Sequence, residues 1–221
     1  MLILASQSPR RKQLLSLLNL PYEVQSGDVD ETPLPDELPA VYVLRLAVSK
    51  ARAVGNFTTQ EAFILAADTT VAANVNGKAV ILGKPKDASE AEQFLTLLRG
   101  RPHTVLTAIA LYHPASGQIW QEITRTTVFM RRYSKAEITS YIASGDPLDK
   151  AGAYAIQHAG FHPVAKLEGC YANVMGLPLC AVAKLVAKAG IKVDADIPLI
   201  CQKQFSATCN DESQYSSINS T

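Results

Sequence analysis

Apolar and polar positions divide the chain into short buried runs and longer amphipathic stretches. Residues 2–5 (LILA) are an uninterrupted apolar run ending at Ser6, which predicts a buried strand. Ser8-Pro9 then opens a helix, with Ser8 as cap and Pro9 at the first helical position, where a missing N–H costs nothing. Leu14, Leu15 and Leu18 form its inward face, and Asn19 and Pro21 stop it. The acidic, proline-rich residues 22–37 predict a loop. A second helix is expected over 39–54, ending at Gly55. Residues 62–67 predict another buried strand, closed by Asp68-Thr69, and 74–78 a turn around Asn76-Gly77.

Asp87, followed three residues on by Glu90, gives a capping-box-like start to a helix ending at Gly100. Two strand-like runs, 104–112 and 118–130, flank a turn at 114–117. Ser134 and Glu137 repeat the capping signature before a helix ending at Gly145. Residues 154–157 and 164–167 predict short strands, and Pro178 begins the last helix, which closes at Gly190. Strands alternating with helices, plus one antiparallel hairpin, predict an α/β fold with a mixed sheet. A single domain is expected over 1–195, and the polar residues 206–221 are expected to be a disordered tail.

Composition narrows the function classes. The 221 residues allow one large domain or two lobes sharing a cleft. A net charge of +1 lacks the basic excess of nucleic-acid binders, so any anion must be held by a few placed cations. The four cysteines form no C-x-x-C pair, which suits reduced thiols. No apolar run is long enough to span a bilayer, and MLILAS does not have the pattern of a secretory leader; a cytoplasmic protein without membrane partners is expected.

The local chemistry points to phosphate. In LASQSPRR a strand ends, two serines and a proline turn the chain, and a helix begins with Arg10 and Arg11. The N-terminus of a helix attracts anions, so cations there are unfavourable unless a polyphosphate offsets them; two solvated arginines are the alternative. Lys50 has Leu46, Ala47, Ala53 and Val54 as its helical neighbours, an inward stripe where an unpaired ammonium is costly. It either snorkels to solvent or meets phosphate. Asp68 ends AFILAAD, and open α/β sheets place catalytic groups at the carboxyl ends of strands. Lys84 lies in ILGKP, where Gly83 permits close backbone approach. Arg10, Arg11, Lys50 and Lys84, with the carboxylates Glu31 and Asp68, make an inventory suited to phosphoryl chemistry. There is no Walker A loop and no G-x-S-x-G elbow, and the four histidines lack metal-ligand spacing.

LASQSPRRKQLL, AADTTV, ILGKP, DKAGAYAIQ and NVMGLPL occur in the order that resembles the Maf family of nucleoside triphosphate pyrophosphatases. The resemblance spans about residues 1–190. It implies an elongated, strongly bent mixed sheet of the Maf/inosine-triphosphatase-like kind, with two lobes around a cleft. It also implies a cytoplasmic enzyme, often a homodimer, that uses Mg2+ or Mn2+ to cut nucleoside triphosphates to monophosphate and pyrophosphate. By motif, Asp68 matches the proton acceptor, and Ser6, Arg11, Lys50 and Lys84 match the triphosphate site. Glu31 matches an acidic position tied to metal or catalysis, as Asp68 also is, while Arg10, Thr69 and Gln157 match positions tied to base choice. DKAGAYAIQ resembles the branch preferring dTTP and UTP over 7-methyl-GTP, although Ala155 and His158-Ala159 depart from that branch's pattern. The competing reading is a nucleotide-binding regulator of cell division that uses the same site without turnover.

Overall fold

The computed structural model describes residues 1–58 and 61–205. The expected tail over 206–221 lies outside the described residues. The first strand, β1 (Leu2–Ala5), is fully buried, and α1 (Pro9–Ser16) follows with Pro9 at its start. Ser8 precedes that helix without capping it through its side chain; instead its N–H donates to the Ser6 hydroxyl at 3.2 Å. Part of the expected loop over 22–37 is a strand, β2 (Tyr22–Gln25), which pairs parallel to β1. The acidic, proline-rich composition concealed it because the strand is short and only half-buried.

Helix α2 (Pro39–Gly55) buries Val43, Leu46, Ala47, Ala51 and Val54, the stripe expected at helical spacing. The strand expected to close at Asp68 instead runs on through the threonines as β3 (Phe63–Val75). Threonine and valine are good strand formers, so TTVAANV continues the pleat. Asn76-Gly77 turns the chain, both at positive φ, into β4 (Lys78–Leu82). Helix α3 (Ala88–Leu98) is capped by the Asp87 side chain, although Glu90 bonds the Lys86 N–H in place of the cap's own. The hairpin β5 (Pro102–His113) and β6 (Gln118–Met130) forms as expected, and the Ser134–Glu137 capping box is complete at α4 (Lys135–Ala143).

Residues 154–157, expected to be a strand, pair with no strand; they follow 3-10 turns in which Gly152 and Ala153 take positive φ, so DKAGAYAIQ is a coiled loop. β7 (Val164–Glu168) completes the sheet, followed by the one-turn helix α5 (Tyr171–Val174) and by α6 (Leu179–Lys188). A further helix, α7 (Ile197–Phe205), lies beyond the expected last one and beyond residue 195. It buries Ile197 and Cys201 in the same core as α6 and stacks Phe205 on Tyr171.

The strands form one mixed sheet in the order β2-β1-β3-β5-β6-β7, with β4 paired to β3. Strand alternation sorts the core. Ile64 and Ala66 face α2, whereas Leu65 and Ala67 face the side covered by α1 and α6. One edge of β3 is matched to β5 from Ile64 to Ala72. Along its other edge, β1 pairs only with residues 63–65 and β4 only with residues 71–75. Residues 66–70 therefore have no strand beside them on that edge, and a break in the sheet opens at Asp68.

Because Phe205 stacks on Tyr171, Phe205→Ala should lower stability by about 1 kcal/mol. Urea denaturation followed by circular dichroism checks this; an unchanged midpoint would show that the Phe205–Tyr171 stack does not contribute to stability.

Candidate active site

The break in the sheet is the mouth of a cleft of about 500 Å³. β1 ends at Ala5 on one side of it and β4 ends at Leu82 on the other, so Ser6 and Lys84 reach it from opposite sides. The exposed edge of β3 gives both of its faces access to one space. Asp68 and Thr70 belong to the α2 face and Thr69 to the α1 face, yet all three line the cleft.

On the α2 face, the Lys50 ammonium lies 2.6 Å from Asp68 Oδ1 and 2.6 Å from Glu31 Oε1. Lys84 Nζ approaches the other Glu31 oxygen at 3.9 Å. Glu31 belongs to a loop tied down on α2: Tyr42 donates its hydroxyl to the Glu31 carbonyl, and Arg45 grips Glu37 with two 2.7 Å bonds. Burial pushes the Tyr42 phenol up to about 12, and the charges of Asp68 and Glu31 push the same way, so it remains a donor.

The two carboxyls differ electrostatically. Asp68 is buried, and desolvation holds its carboxyl above the ordinary aspartate value despite Lys50 and Arg11. Burial also acts upward on Glu31, but the hydrogen bond and charge of Lys50, with Lys84 and Arg11, outweigh it and leave Glu31 below the usual range. One carboxyl is thus tuned to take a proton and the other to stay ionised. Thr70, on the same face, has a buried hydroxyl with no partner among the described residues.

On the α1 face, Arg11 donates from Nε to the Gly176 carbonyl at 2.9 Å and from Nη2 to the Thr69 hydroxyl at 3.1 Å. Gly176 takes φ +105°, and a Cβ there would lie 3.2 Å from Thr69 Oγ1 and 3.5 Å from Arg11 Nε. The positive φ favours glycine there, and the Thr69 hydroxyl leaves little room for a side chain. The DKAGAYAIQ loop is fastened to ILGKP by the Gly152 N–H, which donates to the Gly83 carbonyl.

Of the residues expected from the sequence, Ser6, Arg10, Arg11, Glu31, Lys50, Asp68, Thr69 and Lys84 all line this one cleft. Gln157 does not; it is exposed and lies off the cleft wall. Other residues of the lining gave less signal in the sequence, among them Tyr42, Lys150 and Gly176. The glycine and the lysine lie within NVMGLPL and DKAGAYAIQ, where the motifs gave a signal; Tyr42 gave none beyond being one more apolar position of α2. Lys150 is buried and already neutralised by Asp146 and Asp149 at 2.9 and 2.6 Å.

A cleft at a sheet break, lined by cations and holding a buried carboxyl raised above its ordinary value beside one held below it, suits a hydrolase acting on phosphoric anhydrides. The match to known proteins makes this specific: residues 1–189 fit the family model described as Maf-like protein, and the chain belongs to that family. It is 44% identical over 189 residues to a Geobacter sp. (strain M21) protein named dTTP/UTP pyrophosphatase, covering 86% of this chain and 95% of that one. A Myxococcus xanthus (strain DK1622) protein of the same name is 47% identical over 191 residues, covering 86% and 93%. Among solved structures, the Staphylococcus aureus Ham1 protein is 15% identical with a TM-score of 0.46, covering 74% of this chain and 79% of that one. No helix among the described residues is long and apolar enough to cross a membrane.

Two outcomes follow from the charges. Arg11→Ala and Lys50→Ala should each weaken triphosphate binding about ten- to a hundredfold while changing nucleoside binding little, because each removes a charge-assisted contact. Calorimetric titration with a slowly hydrolysed triphosphate and with the nucleoside decides this; equal losses for both ligands would deny these cations a role with phosphate. Lys50→Met also removes the charge that favours ionised Asp68, so the Asp68 carboxyl should rise further. The acid limb of the kcat profile for pyrophosphate release should then move to higher pH. A limb that stays put or moves down would show that Asp68 does not govern it.

Proposed function

We propose that the chain hydrolyses nucleoside triphosphates between the α- and β-phosphates, releasing the monophosphate and pyrophosphate, with dTTP and UTP preferred. The observation that carries the reading is Asp68: a buried carboxylate, raised above its ordinary value, on the floor of a cleft lined by Arg10, Arg11, Lys50 and Lys84. Without a metal ion between them, a site that only bound the ligand would gain nothing from a carboxylate facing a polyanion.

In the proposed reaction, Asp68 takes a proton from a water whose oxygen attacks the α-phosphorus. The bond from that phosphorus to the bridging oxygen breaks, and the pyrophosphate leaves against the cations. Arg11, Lys50 and Lys84 counter the charge of the phosphates, with the hydroxyl of Ser6 beside them.

The carboxylates also suit a divalent cation. Lys50 Nζ already meets Glu31 and Asp68 at 2.6 Å each, so one positive centre can touch both. Hard oxygen donors, two carboxylates with phosphate oxygens and water filling the other positions, are the usual surroundings of Mg2+, and Mn2+ accepts the same set. The described residues hold no group of three or more His, Cys, Asp or Glu that could bind a metal ion, which favours a cation arriving with the phosphates. Bound there, it would polarise phosphate oxygen.

Base preference is carried over from the names of the relatives, with Arg10 and Thr69 as the cleft-lining candidates and the exposed Gln157 as a residue that would have to move to reach a base. Gln157→Glu with an unchanged substrate ranking would leave base choice to the other two.

Asp68→Asn should cut turnover about a hundred- to ten-thousandfold while triphosphate affinity holds or tightens, since the substitution keeps the shape and removes a repelling charge. Pyrophosphate release and calorimetric affinity, measured with added magnesium across UTP, dTTP, CTP, GTP and 7-methyl-GTP, test activity and ranking together. Full turnover in the mutant would refute the assignment of Asp68, and a preference for 7-methyl-GTP would refute the base reading.

A further inference from the structure

Thr107 is fully buried on β5, in register with Thr69 on β3. Its hydroxyl oxygen lies 2.9 Å from the Asn173 carbonyl oxygen and 3.0 Å from Thr69 Oγ1. A carbonyl oxygen can only accept, and a hydroxyl has a single hydrogen, so the hydrogen of Thr107 goes to Asn173. Thr69 must therefore donate its own hydrogen to Thr107. The opposite assignment would set two acceptors against each other 2.9 Å apart. Arg11 Nη2, 3.1 Å from Thr69, can only donate. The hydrogen bonds thus run one way: Arg11 to Thr69, Thr69 to Thr107, Thr107 to Asn173.

The far end of this row cannot relax easily. Asn173 is completely buried, and its side-chain amide donates to the Val105 carbonyl at 3.1 Å and to Thr126 Oγ1 at 2.9 Å. The carbonyl that receives Thr107 also accepts the Gly176 N–H at 2.9 Å. Thr69 is the half-buried hydroxyl of the row that lines the cleft. With its hydrogen committed and one lone pair facing Arg11, it has one lone pair left and nothing to donate.

We propose that this one-way row makes Thr69 an acceptor-only contact for the base, so that the base must present an N–H there, and that Thr107 is the positioning residue that enforces it. The inference rests on the reading that Thr69 meets the base. Uracil and thymine carry a hydrogen at N3 and satisfy an acceptor. Where Thr69 meets ring position 3, cytosine has a bare N3, which would face the free lone pair of Thr69 and leave that lone pair and the nitrogen unpaired. Discrimination between UTP and CTP then originates in a buried side chain that touches neither.

The test compares kcat/KM for UTP and CTP in the wild type, Thr107→Val, Thr107→Ser and Thr69→Val. Thr107→Val removes the acceptor for the Thr69 hydrogen, so Thr69 can turn and donate, and the UTP:CTP ratio should fall about tenfold. Thr107→Ser restores the hydroxyl and should restore the ratio. A role for Thr107 in packing alone would lower both substrates in parallel and leave the ratio unchanged, which overturns the inference. If Thr69→Val shifts the ratio while Thr107→Val does not, Thr69 still reads the base but not through this row. If Thr69→Val leaves the ratio unchanged, the reading of Thr69 itself fails, and the inference with it. An arm independent of mutant folding uses the wild type with UTP methylated at N3. Lacking the hydrogen, it should inhibit cleavage of UTP at least about tenfold more weakly than unlabelled UTP competes for a labelled tracer; equal competition overturns the inference.

Discussion

The carboxylate of Asp68 lies in the middle of a continuous strand, on the face covered by α2, where little solvent reaches it. Desolvating an ion is costly unless a counter-charge and hydrogen bonds meet it, so much of the surrounding architecture serves to place them. α2 must carry a lysine inside an apolar stripe; Lys50 does so, bounded by Leu46, Ala47 and Val54. The acidic loop before α2 must bring Glu31 to the same ammonium, which the Tyr42 and Arg45 contacts achieve. Removing Lys50 would leave two carboxylates without their shared counter-charge in a confined space. The arrangement is therefore a coupled unit, not a list of contacts.

Access to that unit comes from the sheet itself. A continuous sheet would seal both edges of β3 against neighbouring strands. Because β1 and β4 pair with its two ends only, the middle five residues present their edge to the cleft. Alternation along the strand then becomes a means of mixing functions: Asp68 carries charge toward α2, and Thr69, one residue on, carries a hydroxyl toward Arg11. Motifs far apart in sequence, LASQSPRR, AADTTV, ILGKP and NVMGLPL, all flank this gap. Their convergence follows from topology and could not be read from their spacing.

Much of the fold was legible in the sequence, for reasons tied to single residues. The Ser134–Glu137 capping box, the Asn76-Gly77 turn and the α2 stripe all signal through local chemistry, and all formed. Local signals failed where tertiary pairing decides. Tyr22–Gln25 becomes a strand because β1 offers it an edge, and residues 154–157 do not because their chain is turned by Gly152 and Ala153. A charged residue ordinarily stops a buried run, which predicts a strand end at Asp68. Here Lys50 allows the strand to pass through it. In the site, the cations and carboxylates could be found by their chemical oddity, whereas Thr107 and Asn173 could not. A buried threonine in a strand and an asparagine beside a turn are unremarkable until their hydrogen bonds are followed.

The two halves of the cleft are held by different kinds of bond, and this divides what a ligand can change. On the α2 side the bonds are ionic and shared: one ammonium serves two carboxylates, and a polyphosphate or a metal ion can enter that balance by redistributing charge. On the α1 side the bonds are directional and closed in series, ending on a buried asparagine carbonyl with two donors of its own. Charges tolerate small displacements because their attraction falls off slowly with distance, whereas hydrogen bonds weaken steeply with angle. The ionic half can accordingly adjust to phosphates along the reaction, while the hydroxyl row keeps its geometry and its polarity. A single strand carries both, with Asp68 and Thr69 adjacent, so the adjustable and the fixed halves are separated by one peptide bond.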